Sequence, residues 1–123
     1  MHTHVILVVE DNHDVQEFLR EALSEESYRP LVVENGEAAL AALETVQPDV
    51  ITLDLNMPGI GGVQLLQAIR QRDGFESVPV IVVSAEMRIA GAVRELAQAV
   101  VAKPFNLDEL MTIIHDLLPS RQT

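Results

Sequence analysis

Apolar residues recur along this chain in two alternating rhythms. Short unbroken runs stand at Val5 to Val9, Leu31 to Val33, Val50 to Leu53, Val80 to Val83 and Val100 to Ala102. They are too brief for helices and rich in the β-branched residues that suit strands. Between them apolar positions return every three or four residues: Val15, Phe18, Leu19, Ala22 and Leu23, then Ala39, Leu40, Leu43 and Val46, then Leu65, Leu66 and Ile69, and finally Leu107, Leu110, Ile113, Ile114 and Leu117. That spacing puts each set on one face of a helix. The pattern predicts strands at 5–9, 30–34, 49–53, 78–83 and 98–102, and helices at 13–26, 37–46, 62–72, about 86–97 and 107–118.

Local signals agree with the alternation. Asn35-Gly36 is a turn pair, and Asn106 followed three residues later by Glu109 resembles a capping box at the start of the last helix. Strict β-α alternation implies an α/β fold, a parallel sheet with helices on both faces. The strand runs lack polar alternation, as burial on both sides requires. We expect one domain over residues 4–118, a frayed tail over 119–123, and no linker, repeat or output domain.

Composition narrows the class. A chain of 123 residues can bury about two-thirds of its unfolded surface in one core. The lack of cysteine removes disulfides and thiolate zinc sites and suits a reducing compartment, so the cytoplasm is the expected location. No apolar run approaches the roughly 20 residues of a bilayer span, and Met1-His2-Thr3-His4 is unlike an export signal. Eight basic against nineteen acidic residues give a net charge of −11, which repels phosphate backbones and anionic lipid heads. Direct nucleic-acid or membrane binding is not expected.

The strand candidates end in chemistry. Val5 to Val9 leads into Glu10-Asp11, Val50 to Leu53 into Asp54, Val80 to Val83 into Ser84, and Val100 to Ala102 into Lys103. In a parallel sheet these ends share one edge, where open α/β sheets bind ligands. After Asp54 the chain reads Leu55-Asn56-Met57-Pro58-Gly59-Ile60-Gly61-Gly62, a turn-rich loop that leaves the carboxylate accessible at a strand end.

Such a carboxylate can attack phosphorus and form an aspartyl phosphate once charge repulsion is neutralised. Magnesium, or manganese, suits that task, with Asp11 and Asp54 as direct ligands and Glu10 acting through water. Without metal, the three carboxylates raise one another's pKa values; a cation reverses this, so binding weakens in acid. Lys103 carries a mobile point charge able to reach a phosphoryl oxygen, and Ser84 supplies a donor hydroxyl for another. Both would stabilise the group in transfer.

Taken singly these features are bland: an acidic pair after a strand is usually solvated loop, and a Lys-Pro pair a turn. Their joint placement at strand ends carries the reading. Met57 and Pro58 fit a structural role in the loop. His13 reads as a solvated first-turn residue, and His2 and His4 as terminal residues without structural meaning. Asn56 and Glu86 each stand two residues beyond a site residue, where they would flank attacking water and modulate dephosphorylation.

Glu10-Asp11, Asp54 with Met57-Pro58-Gly59, Ser84-Ala85 and Lys103-Pro104-Phe105, in this order, resemble a response-regulator receiver domain of two-component signalling, chemotaxis-regulator-like, over essentially the full chain. The resemblance implies a flavodoxin-like sheet of order 2-1-3-4-5 and a switch point between the strands carrying Asp11 and Asp54. It also implies Asp54 as phosphoacceptor, Asp11 and the Asn56 backbone carbonyl on magnesium, Ser84 as switch hydroxyl, Lys103 as phosphate contact, and a cis Lys103-Pro104 peptide.

Two departures from the family pattern bear on output. Val100 stands three before the lysine, where an aromatic is usual. Ser84 to Lys103 spans only 103 − 84 = 19 positions, with Ala97-Gln98-Ala99 in place of the usual Gly-Ala-Asp. Activation is therefore expected to move the 86–97 helix and the loop after Ser84 more than any side chain of the last strand.

The leading expectation is a signalling module. It takes a phosphoryl group from a sensor histidine kinase or histidine phosphotransfer protein, switches a surface toward a downstream effector, and catalyses only its own phosphorylation and dephosphorylation. The alternatives are a pseudo-receiver that binds partners without phosphorylation and an aspartate-nucleophile phosphatase of the haloacid-dehalogenase type. The latter typically has a second Asp where this chain has Asn56. Neither G-x-G-x-x-G nor G-x-x-x-x-G-K occurs, which argues against the common nucleotide enzymes.

Overall fold

A computed structural model of the chain describes residues 3–56, 61–85 and 93–118. Strands β1 (Val5–Val9), β2 (Arg29–Val33), β3 (Val50–Asp54), β4 (Val80–Ser84) and β5 (Ala99–Ala102) form one sheet in the order β2-β1-β3-β4-β5. Every neighbouring pair is parallel. Among the described residues there are four helices: α1 (His13–Glu25), α2 (Gly36–Ala42), α3 (Gly62–Gln71) and α4 (Leu107–Leu117). This is the expected α/β fold with strand order 2-1-3-4-5. None of the described helices is long and apolar enough to cross a membrane.

The helix expected near 86–97 falls mostly outside the described residues. Within its described part, Val93 to Leu96 form a turn in which the Leu96 and Ala97 N–H groups donate to the Val93 carbonyl.

Side-chain alternation divides the core into two layers. Leu7, Val9, Ile51, Leu53, Val80 and Val82 pack with Ala39, Leu43, Leu65, Leu66 and Ile69 from α2 and α3 and the turn after α2. Ile6, Val8, Val50, Ile81, Val83 and Val101 pack with Leu19, Leu23, Leu110 and Ile114 from α1 and α4. Each fully buried Leu or Ile contributes about 1.5–3 kcal/mol.

Asparagines start three of the helices by accepting a backbone N–H at the N-cap: Asn12 from Val15, Asn35 from Ala38 and Asn106 from Glu109. Asn35-Gly36 is thus a helix start as well as a turn pair, and the Asn106 half of the expected capping box is present.

Several boundaries differ from expectation for local reasons. Helix α2 stops at Ala42, four residues early, and continues as tighter turns in which Glu44 and Thr45 donate to the Ala41 and Ala42 carbonyls. The β-branched Thr45 and Val46, followed by Pro48, disfavour further α-helix. Strand β4 begins at Val80 because Pro79 has no N–H, although the Pro79 carbonyl still accepts from Ile51. Strands β3 and β4 run one residue further than expected, so Asp54 and Ser84 lie within them. The Lys103-Pro104 peptide is cis.

At the opposite end of the sheet Arg70 of α3 ties the entries of β4 and β5 together. Its guanidinium donates to the Leu96, Phe75 and Val78 carbonyls and to Gln98 Oε1, which also accepts from the Val80 N–H. Burial pulls the Arg70 guanidinium below its ordinary pKa. On the outer strand, Arg29 donates to His4 and Val33 accepts from Glu10. Parallel pairing alternates, so Arg29, Leu31 and Val33 face β1 while Pro30 and Val32 face the open edge. The N–H that Pro30 lacks is one of the outward ones.

Candidate functional site

Strand parity assembles the site. Val8, Val50 and Val101 point toward α1 and α4, and a side-chain period of two carries that side on to Glu10, Asp54 and Lys103. The ladder continues past the strand ends: Glu10 N donates to Val33, Leu55 N to Val83 and Lys103 N to Ser84, at 3.0, 3.1 and 2.9 Å. The side chains at the C-terminal edge are therefore held by sheet geometry.

Glu10, Asp11 and Asp54 each present a carboxylate oxygen, and the three oxygens lie within 4.8 Å of one another. Glu10 and Asp54 are only 4% and 3% exposed. Lys103 Nζ lies 3.1 Å from Asp54 Oδ2 and 3.6 Å from Glu10 Oε1. Two backbone donors complete the cluster: Asn56 N to Asp54 Oδ1 at 2.9 Å and Asn12 N to Glu10 Oε2 at 3.1 Å.

Burial raises the Glu10 pKa above the ordinary value, and the Asp54 charge adds to this; the Asn12 N–H and Lys103 oppose both without cancelling them. For Lys103, burial lowers the pKa, but the hydrogen bond and charge of Asp54, seconded by Glu10, outweigh it and leave the ammonium raised. Lys103 thus remains a cation and only partly offsets the three carboxylates. An all-oxygen donor set with this surplus of negative charge fits a hard divalent cation such as magnesium or manganese.

The remaining expected residues divide. Ser84 is fully buried at the end of β4, one residue beyond Val83, the register partner of Asp54. Asn56 is exposed. Glu86, Met57, Pro58 and His2 lie outside the described residues. His13 is exposed and faces Glu34 rather than the acidic cluster, as a solvated first-turn residue should. His4 is a correction. It is half-buried with Nδ1 3.8 Å from Asp49 Oδ2 and stands edge-on to the Tyr28 ring, because pairing of β2 beside it encloses the start of β1.

Two residues escaped the sequence reading. Gln16 is buried and donates through Nε2 to the Glu10 carbonyl at 2.6 Å; the available signal was a polar residue three before Leu19 and seven before Leu23, in register with the buried stripe. Gly62 abuts Leu55, the residue after Asp54; its signal was a glycine opening an otherwise regular helical pattern.

Beside the site runs an apolar groove of about 460 Å³ lined by Val15, Phe18, Ala85, Lys103, Pro104 and Phe105. Phe18 is 50% exposed, the large apolar side chain that stands out among the described residues. Lys103 borders both groove and acidic cluster.

The family model for the response regulator receiver domain matches residues 6–115. Sporulation initiation phosphotransferase F of Bacillus subtilis is 32% identical over 117 residues, which cover 93% of each chain. The transcriptional regulator NtrC of Salmonella typhimurium is 34% identical over 113 residues, 89% of this chain but 24% of that protein. The chain therefore spans about a quarter of that relative. Among solved structures, the response regulator TrrA of Thermotoga maritima in complex with Mg²⁺ and BeF superposes with a TM-score of 0.86 at 34% identity, covering 94% of this chain and all of that one.

Proposed function

This chain belongs to the response regulator receiver domain family, and on that premise we propose that Asp54 accepts a phosphoryl group from a phosphohistidine on a sensor histidine kinase or histidine phosphotransfer protein in the cytoplasm. The observation that carries the reading is the convergence of Glu10, Asp11, Asp54 and Lys103 at the C-terminal ends of β1, β3 and β5. A role in partner binding alone gives no reason to gather three carboxylates in a largely buried corner.

In the transfer, an Asp54 oxygen forms a bond to phosphorus as the phosphorus–nitrogen bond of the donor breaks. The electron pair returns to the donor imidazole, which takes up a proton. Asn56 N–H and Lys103 orient the carboxylate before attack. The flexible stem of Lys103 lets its ammonium pass from Asp54 to an arriving phosphoryl oxygen, and the Ser84 hydroxyl serves another. A magnesium or manganese ion held by Asp11, Asp54 and the Asn56 carbonyl, and by Glu10 through water, would supply the positive charge that offsets repulsion between carboxylate and phosphoryl group.

The groove supports a protein donor. It shares Lys103 with the site, so a partner presenting phosphohistidine to Asp54 lies across Val15, Phe18 and Phe105. Residues 4–118 form the acting unit. Its product is a conformation read by an effector, and it turns over no other substrate. Asn56 supports this last point, because an amide cannot serve as the second acid of an aspartate-nucleophile phosphatase.

The test is intact mass after incubation with magnesium and a small acyl-phosphate donor, beside Asp54→Asn. One phosphoryl adduct is expected in the parent, and none in Asp54→Asn or with a chelator. An unmodified parent, or an adduct that survives in Asp54→Asn, overturns the assignment.

A further inference from the structure

We propose that Gln16 is a positioning residue for the acidic site: its side-chain amide fixes the peptide joining Glu10 to Asp11 and thereby sets the affinity for the divalent cation. The inference rests on the metal-dependent phosphoacceptor reading above.

Gln16 is 8% exposed and shares the inward stripe of α1 with Leu19 and Leu23. A primary amide in that position is unfavourable unless its polar atoms are paired. Its Nε2 lies 2.6 Å from the Glu10 carbonyl oxygen. That oxygen can only accept, so the amide must present its NH₂ group there. The backbone N–H of the same residue donates to the Asn12 carbonyl at 2.9 Å. One residue of α1 thus bonds carbonyls on both sides of Asp11.

The rest of the turn is tied back in the same way. Asn12 N donates to Glu10 Oε2, and Asn12 Oδ1 accepts from Val15 N. The Glu10 carbonyl and the Asp11 N–H belong to one rigid peptide plane. Holding that plane leaves Asp11 little freedom to rotate away from Glu10 and Asp54. Releasing it lets the plane turn and carries the Asp11 carboxylate with it. A neutral amide does this without bringing a second cation beside Lys103, where a lysine or arginine would compete with the metal for the same oxygens.

The experiment titrates magnesium into the whole chain by calorimetry and measures the magnesium concentration that half-saturates phosphorylation. Gln16→Met keeps the volume and removes the amide. Gln16→Asn keeps an amide one methylene short of the carbonyl and preserves polarity should the methionine variant fold poorly. Loss of a partner that orients a metal ligand typically weakens binding about 10–100-fold, and both variants are expected to need that much more magnesium. At saturating magnesium their rates should return to within about two-fold of the parent, the mark of lost binding rather than lost chemistry.

A residue that merely stabilises the fold would lower the melting temperature and leave magnesium half-saturation in place. Leu23→Ala, which empties the same stripe away from the turn, supplies that comparison. Parent-like magnesium affinity in folded Gln16→Met and Gln16→Asn overturns the inference and leaves the receiver reading intact. A parent that takes up no magnesium overturns both.

Discussion

Glu10 and Lys103 share a few ångströms of space, and each has its pKa raised, for opposite reasons: burial disfavours the charged carboxylate, whereas Asp54 and Glu10 favour the charged ammonium. The raised Glu10 value means that the metal-free fold holds its proton more tightly than the unfolded chain does. Stability linked to Glu10 is fully present below the unfolded value and is lost as pH rises through the folded one. In chelator, the melting temperature of the parent is therefore expected to fall relative to Glu10→Gln as pH increases above the ordinary carboxylate range of about 4 to 5. Parallel melting curves for the two proteins from acid to neutral pH would remove Glu10 from this account. The Lys103 contribution is present below the ordinary lysine value and is lost only above it, so it leaves the neutral range flat.

Helix α3 can begin in close contact with Leu55 because Gly62 has no side chain. A Cβ there would lie 2.5 Å from Leu55 Cα and 2.7 Å from Leu55 Cδ2, and backbone cannot yield as a flexible side-chain tip can. Gly62→Ala is expected to cost about 1–3 kcal/mol through overpacking, a drop of about 4 °C in melting temperature per kcal/mol for a domain of this size. The residue displaced is the neighbour of Asp54, so phosphorylation should slow as well; an alanine variant as stable and as fast as the parent would refute the contact. The strands and most helices were legible because Val and Ile runs and threefold-fourfold stripes report burial directly. The placement of Glu10, Asp54 and Lys103 at the C-terminal ends of strands in one parallel sheet then made their union readable. The stripe of α1 marks Gln16 as inward-facing but cannot report its partner, which it acquires only when α1 docks on the end of β1. Nor can hydrophobic pattern report Arg70, whose acceptors run from the nearby Phe75 and Val78 carbonyls to the Leu96 carbonyl and Gln98 side chain further along the chain, or His4, enclosed only when β2 pairs beside β1.

For the whole molecule, a magnesium ion held by the acidic cluster would be linked to folding. A cation that binds only the folded chain adds about 2.7 kcal/mol of stability at a hundred times its dissociation constant. Melting in magnesium should exceed melting in chelator, and the increment should shrink in Asp54→Asn; equal increments in the two proteins would place the ion elsewhere. The net charge of −11 adds long-range repulsion between copies, which salt screens within about 10 Å at 0.1 M. Pro30 works at shorter range and is indifferent to salt. A strand from another molecule approaching the outer side of β2 needs successive donors to zip against, and at Pro30 the row is broken. On this side of the sheet, one absent hydrogen atom is expected to disfavour edge-to-edge pairing even in strong salt, where electrostatic repulsion between molecules has faded.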